Sequence, residues 1–322
     1  MKFTKFYSLL IGLISPLALF AQALLESADG EELLQNPMGV TGSSLIGNFN
    51  VSEQSAQFRA TFVLPHQGIL PDQYLTLGLK GKPTNGIATL FSGGKMDMGT
   101  NINLGYTKIN IFSGMMSHFT DYITFKANFN VNKYTIFNPE EKFKDQFQSI
   151  HFRGGGVSVN YNNLVAGKNL FTVSAGYLFK NNFLSLPAVE IRDFKSIYNE
   201  ETKTNREYGT TVNSRTGNFK KYHSIPLHMA YTLTPSEFKD EQEDIKFGFS
   251  TYYLAELGNY NSAHHIGAIL FLTKLNFDTG VRIPVIGLGI QVNDVTGKIS
   301  QQETFRERIS LNLTTAFNIA GF

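Results

Sequence analysis

The stretch Tyr122-Ile123-Thr124-Phe125-Lys126-Ala127-Asn128-Phe129-Asn130-Val131 decides the fold. Ile123, Phe125, Ala127, Phe129 and Val131 share one parity, whereas Thr124, Lys126, Asn128 and Asn130 share the other. Successive strand side chains point to opposite faces, so this segment carries one greasy face and one wet face along its whole length. The same alternation recurs in Phe171, Val173, Ala175, Tyr177 and Phe179 against Thr172, Ser174 and Gly176. It returns in Ile245, Phe247, Phe249, Tyr253 and Leu257 against Lys246, Gly248, Ser250 and Glu256, and in Ile309, Leu311, Leu313, Phe317 and Ile319 against Ser310, Asn312, Thr314 and Asn318. Several of these runs reach ten residues or more. An ordinary soluble strand averages about 5 to 6 residues, while a tilted strand crossing an outer membrane needs about 9 to 11.

Two architectures use alternating strands. In a β-sandwich the apolar face turns into a core, and in a transmembrane barrel it turns out to lipid while the polar face lines the lumen. Strand length and a polar parity dominated by Asn, Thr, Ser and Gly favour the barrel. The expected fold is therefore all-β, a single transmembrane antiparallel up-and-down β-barrel. Alternating segments near 56–64, 73–80, 87–93, 98–112, 120–132, 149–161, 169–180, 220–233, 245–257, 264–277, 282–293 and 307–320 give about 12 strands. Leu45 to Val51 also alternates weakly, so counts of ten or fourteen stay open.

Composition agrees with this reading. The chain has 322 residues, of which 42% are hydrophobic, with 29 Gly, 28 Phe, 14 Tyr and neither Cys nor Trp. Disulfides, thiolate metal sites and cysteine nucleophiles are thereby excluded. Lys2 and Lys5 precede an apolar run from Phe6 to Phe20 that ends at Ala21-Gln22-Ala23, the small-x-small form of a secretory cleavage site. That run, broken by Pro16, is too short for a membrane-spanning helix, which needs about 20 residues. Residues 1–23 are therefore expected to be a signal peptide, 24–42 a short periplasmic lead-in and 43–322 the barrel. Removing Lys2 and Lys5 leaves basic side chains equal in number to the 26 acidic ones. A neutral chain has no electrostatic footprint for nucleic acid.

With both termini in the periplasm, short turns are expected at Gly81 to Gly86, Asn162 to Lys168 and Asp278 to Val281, where Asn85-Gly86 and Asp278-Thr279-Gly280 carry turn chemistry. The long polar connections 133–148, 181–219 and 294–306 then fall outside, where they would meet envelope or surface protein partners. Gly154-Gly155-Gly156 lacks the Lys-Ser/Thr of a phosphate loop and reads as a bend in the wall. Pro226 inside a strand calls for a bulge or a break in the ladder.

The sequence offers little catalytic chemistry. The sequence has no Gly-x-Ser-x-Gly elbow and no His-Glu-x-x-His pair. His264-His265 are neighbours on one strand, so they point apart and cannot grip one metal ion. No catalytic, metal or cofactor site is expected, and no cofactor. The informative set is lumenal, because a charge facing lipid near the midplane costs about 2 to 4 kcal/mol. Arg59, Lys126, His228, Lys246, Glu256 and Lys274 are the candidates to face inward, with His228 placed to pair with a carboxylate such as Glu256. Twelve strands sit between a barrel filled by its own side chains and an open channel, so parity alone leaves the bore undecided.

Leu19-Phe20-Ala21-Gln22 at the end of the leader, Asn101-Ile102-Asn103-Leu104-Gly105-Tyr106 and the terminal Phe322 give the chain a resemblance to outer-membrane β-barrel proteins of the Bacteroidota. The resemblance covers most of the chain, is compositional except at the ends, and assigns no branch. It implies location in the outer membrane of a Gram-negative bacterium after leader cleavage, contact with outer-membrane lipid, and a final strand read by the assembly machinery. The functional expectation is a non-enzymatic, porin-like integral barrel that passes small polar solutes or acts as a membrane-embedded platform for envelope partners. A secreted β-sandwich binding module and an outer-membrane lipid-modifying enzyme are the alternatives.

Overall fold

The computed structural model describes residues 23–26, 32–36, 44–50, 55–65, 71–83, 98–110, 119–165, 168–199, 203–234, 245–258, 262–276, 281–297, 304–306 and 308–321. Residues 1–22 and Phe322 lie outside them. The strands are β1 (Ala23–Glu26), β2 (Glu32–Asn36), β3 (Ser44–Asn50), β4 (Ser55–Val63), β5 (Gln73–Pro83), β6 (Met98–Ile109), β7 (Phe119–Phe137) and β8 (Phe147–Val165). They continue as β9 (Asn169–Asn181), β10 (Ala188–Asn199), β11 (Thr204–Thr216), β12 (Lys221–Leu233), β13 (Ile245–Gly258), β14 (Ala263–Asn276), β15 (Val281–Val292) and β16 (Ile309–Gly321). Single 3-10 turns occur at Phe143–Asp145 and Phe183–Ser185.

Twelve of these strands close on themselves. Antiparallel pairing runs β3–β4–β5–β6–β7–β8–β9–β12–β13–β14–β15–β16 and returns from β16 to β3. A closed ring has no free edge, and every strand in it is joined to its sequence neighbour except across the excursion between β9 and β12. The fold is an up-and-down β-barrel.

The two faces of the wall follow the sequence parity. Phe125 is 51% exposed and Phe247 67% exposed, although both are large apolar rings. Leu79, Ile102, Val157, Met229, Leu270, Leu288 and Leu311 stand exposed on the same outward side. A soluble sandwich would bury these side chains between layers. Their outward display is a lipid-facing belt, and it removes the sandwich reading. The class defined by a closed antiparallel ring with an apolar exterior is the outer-membrane type of β-barrel.

Two expectations about the wall need correction. The ring contains β3, whose alternation is weak, while the strand expected at 87–93 falls within 84–97, outside the described residues. In consequence Gly81 to Gly86 belongs to the connection at the end of the barrel opposite the termini, not to a short turn beside them. The span 133–148 is also largely strand, because β7 runs on to Phe137 and β8 starts at Phe147. These two form a ribbon rising above the wall: β8 pairs with β9 only as far as Gly155, but with β7 up to Phe147.

The glycine triplet marks that departure. Gly155 has φ +152°, a setting that disfavours side chains, and a Cβ there would strike the carbonyl oxygen of Asn128. Pro226 does interrupt a ladder: Ser224 and Leu227 pair with β9, while Ile225 and Pro226 do not. The wall also bulges between Asn318 and Ala320 on β16, and at Val285 on β15, which is passed over between the Leu272–Ile286 and Thr273–Pro284 pairs. Part of the 24–42 lead-in is ordered as the β1–β2 hairpin, and β1 lies against β15 and β16.

Candidate functional site

The functional surface of a barrel is its bore and its rims. The inward parity is held by cross-strand pairs of short polar side chains. Thr107 Oγ1 meets Thr124 Oγ1 at 2.9 Å, Thr232 Oγ1 meets Ser250 Oγ at 2.8 Å, and Thr172 Oγ1 donates to Asn162 Oδ1 at 2.8 Å. Each pair is directly opposite in register, so side-chain bonding reinforces the backbone ladder.

Toward the end where β3 begins and β16 finishes, an apolar cluster crosses the bore. Tyr74, Ile109, Tyr122, Leu170, Ala230, Tyr252, Ile269 and Phe271 form one packed cluster, with Val63 and Leu164 against it. Nine of the twelve wall strands contribute to it. Tyr122 and Phe271 are 0% exposed. On β13 and β14 the aromatics lean over glycines in a reciprocal arrangement. Tyr252 sits opposite Gly267 and Phe271 opposite Gly248, and a Cβ on either glycine would enter the facing ring. A ring lying over a cross-strand glycine pins register and fills space that a second side chain would contest.

Toward the opposite end the bore is polar. Tyr252 donates its hydroxyl proton to Gln291 Oε1 at 2.6 Å, and Gln291 Nε2 donates to Asn293 Oδ1 at 2.5 Å. Asn293 Nδ2 in turn donates to Ser310 Oγ at 2.6 Å, and His265 Nδ1 lies 3.2 Å from Asn293 Oδ1. This chain links four adjacent strands. Lys180 and Glu256 form an ion pair across β9 and β13.

The charges singled out in the sequence are distributed as follows. Arg59 is buried on the inward parity of β4, between Gln57 and Thr61 and opposite Gly78. Lys126 and Lys246 are partly buried and inward, Lys246 beside the terminus end. His228 is buried inward, its ring 6.3 Å from that of Tyr252 and within electrostatic reach of Lys126. Glu256 is inward, but its partner is Lys180 and not His228, which in register faces Leu254 and Ser174. Lys274 is placed differently from the expectation. It is exposed on the same parity as Ile266 and Leu270, at the end of β14, because strict alternation from Phe271 and Thr273 turns it outward. A long side chain near the membrane boundary carries its ammonium to water while its stem stays in the apolar belt. His264 bonds to Tyr253 and His265 to Asn293, so the doublet does point apart.

Sequence reading missed Tyr74, Tyr122, Tyr252 and Phe271, aromatic residues on the wet parity. The available signal was an aromatic interrupting a run of Asn, Thr and Ser on that parity.

At the far rim the excursion between β9 and β12 folds into a second hairpin. β10 and β11 pair continuously from Ala188–Arg215 to Asn199–Thr204, and among the described residues the ribbon's backbone pairs with the wall where Arg215 and Thr216 run parallel to Ile136 and Phe137. The joint is built closely. Asn182 Nδ2 donates to Asn218 O at 3.0 Å, while its Oδ1 accepts from Lys220 N at 2.7 Å. Phe183 stacks on Tyr134 at 4.1 Å, Leu186 and Ile136 pack beside it, and the Arg215 guanidinium lies 5.7 Å from the Phe183 ring. Burial here pulls the Arg215 guanidinium below its ordinary value. Asn182 and Ser214 are buried, Ser214 donating to Thr135 O at 2.9 Å.

Comparison with known proteins adds the following. No protein-family model and no curated protein matches the chain. Among solved structures, a NanC porin aligns over 85% of this chain and 97% of its own, with 8% identity and a TM-score of 0.37. The β domain of the Bordetella autotransporter BrkA aligns over 86% of this chain and 96% of its own, with 8% identity and a TM-score of 0.34. The assignment to the outer-membrane class rests on the closed ring and its apolar exterior.

Proposed function

We propose that this protein is a non-enzymatic, membrane-embedded platform with a sealed bore, whose outer ribbons engage envelope or surface partners. The observation that carries this is a layer of inward-facing residues from which solvent is excluded. Thr61, Thr107, Ser250, Thr273 and Gln291 on five different strands are all 0% exposed. Wall residues of a water-filled channel would be wet, so a bore lined by such residues is a filled one. Solute passage is the weaker half of the functional expectation on this ground. The β7–β8 and β10–β11 ribbons support the platform half. A two-stranded hairpin is marginally stable alone, and the Asn182 and Phe183 joint holds this one to the rim.

Under the same proposal, the leader is removed on export, the protein resides in the outer membrane of a Gram-negative bacterium of Bacteroidota type, and the rim bearing 133–148, 181–219 and 294–306 faces outward. The mature chain folded into planar bilayers is expected to give no conductance steps above the lipid baseline. Stable ohmic steps with the unmodified chain would overturn the sealed bore and restore transport. Cross-linking from Tyr198, exposed on β10, should capture a cell-surface protein from intact cells, and loss of capture on deleting 188–216 should leave membrane insertion intact.

A further inference from the structure

Outward side chains change character sharply at the far ends of four adjacent strands, β7, β8, β9 and β12. On β7 the exposed Phe129 and Val131 give way to exposed Lys133, and on β8 Val157 and Val159 give way to Arg153 and His151. On β12 Met229, Leu227 and Ile225 give way to His223 and Lys221. Between them β9 presents Tyr177 and Phe179. Register places these groups side by side: Lys133 is opposite His151, Val131 opposite Arg153, Phe179 opposite His223, and Asn181 opposite Lys221. Tyr177 and His223 stack with centroids 5.3 Å apart and share a 2.7 Å hydrogen bond.

The sign of the charge is uniform. The only carboxylate in β7, β8, β9 and β12 is Asp121, which lies at the terminus end of β7. Lys133, Arg153 and Lys221 have no ion-pair partner among the described residues. Their cations therefore stand uncompensated, immediately above a belt of Phe, Val and Ile that acyl chains cover. That is the depth at which lipid headgroups lie, and aromatic rings such as Tyr177 belong to the same interfacial level. Basic groups clustered at a membrane surface attract anionic headgroups, the effect being additive over Lys and Arg. Arg153 adds a planar fork that donates to two phosphate oxygens at once.

We propose that this face is a binding site for a phosphate-bearing glycolipid of the leaflet around the far rim, with Lys133, Arg153 and Lys221 taking the phosphates and Tyr177, Phe179 and Ile225 lying against the acyl chains. The inference rests on the membrane-spanning reading, which heat-modifiable gel mobility in detergent checks separately. The opposite wall carries no comparable group of outward cations among its described residues, so the site is one-sided.

The test uses the full mature chain folded in detergent and native mass spectrometry of the lipid it retains. Bisphosphorylated lipid A is the probe, with its dephosphorylated form, phosphatidylcholine and inorganic phosphate as comparisons. The unmodified protein should retain one lipid A in preference to its dephosphorylated form and to zwitterionic phosphatidylcholine. Lys133→Gln, Arg153→Gln and Lys221→Gln together should weaken retention by roughly a hundredfold, on the scale of about fivefold per charge removed at a membrane surface. Replacing the exposed Lys142, Lys144 and Lys203 by Gln removes the same charge elsewhere and should change nothing. If the triple variant fails to fold, Lys133→Arg with Lys221→Arg should keep retention and Arg153→Gln alone should lower it several-fold. Equal retention by both triple variants, or by the dephosphorylated lipid, overturns the site. Competition by millimolar inorganic phosphate alone would show a free-phosphate site and overturn the lipid.

Discussion

The two halves of the bore are built from one continuous set of strands yet hold opposite interiors. Near the termini Tyr74, Tyr122, Tyr252 and Phe271 meet across the lumen in a cluster that excludes water. Toward the other end the same inward parity carries Lys126, Lys180, Glu256, His228 and the Gln291–Asn293–Ser310 chain. Alternation dictates which side chains face in, because the pleat repeats every two residues. It does not dictate what they do there. An apolar layer can cross a barrel only where aromatics reach the axis and glycines make room, and here both conditions are met at one level.

The largest expected effect tests that layer directly. Phe271→Ala should lower stability by about 3 to 5 kcal/mol, the usual cost of emptying a packed aromatic site, read as a fall in the urea midpoint for unfolding from lipid vesicles. A loss under about 1 kcal/mol, small beside ordinary core truncations, would mean that the cluster does not brace the wall. Gly248→Ala should follow at about 1 to 3 kcal/mol, since the added methyl enters the Phe271 ring. Pairing it with Phe271→Leu should recover part of that loss, and strict additivity would argue against the ring-over-glycine contact.

The polar half should respond more gently. Glu256→Gln breaks a pair whose side chains are 33% and 20% exposed. Water screens such a pair, and about 1 kcal/mol or less is expected, shrinking further in high salt; a loss equal to that of Phe271→Ala would erase the contrast between halves. Lys274→Gln should change stability by no more than about 0.5 kcal/mol, because an outward group at a strand end belongs to neither half. A larger change in the urea midpoint would place that ammonium inside.

Much of the barrel was legible because lipid imposes the parity. Phe125, Phe247 and Leu311 must face out for the same reason that Thr124, Ser250 and Asn312 face in, and eleven of the twelve ring strands follow from counting such runs. Strand β3 was hard to recognise because Gly47 and Asn48 dilute its pattern. The β10–β11 ribbon is not legible from parity, since Glu190, Ser214 and Thr216 carry no apolar alternation. Charge alone points Lys274 inward, but its position one step past Thr273 turns it outward. The sealing cluster was invisible for a further reason. Tyr252 and Phe271 look like exceptions to the wet parity until their facing glycines are known, and that pairing is a matter of register.

The seam between β16 and β3 joins the first and last strands of the ring, separated by almost the whole chain. Every other wall pairing can form as the polypeptide emerges, but this one must wait until the final strand has been delivered. A product cut short before Ile309 would present two naked edges, each a template for neighbouring chains. Quality control for such a molecule therefore reduces to a single late event, the zipping of its two most distant segments.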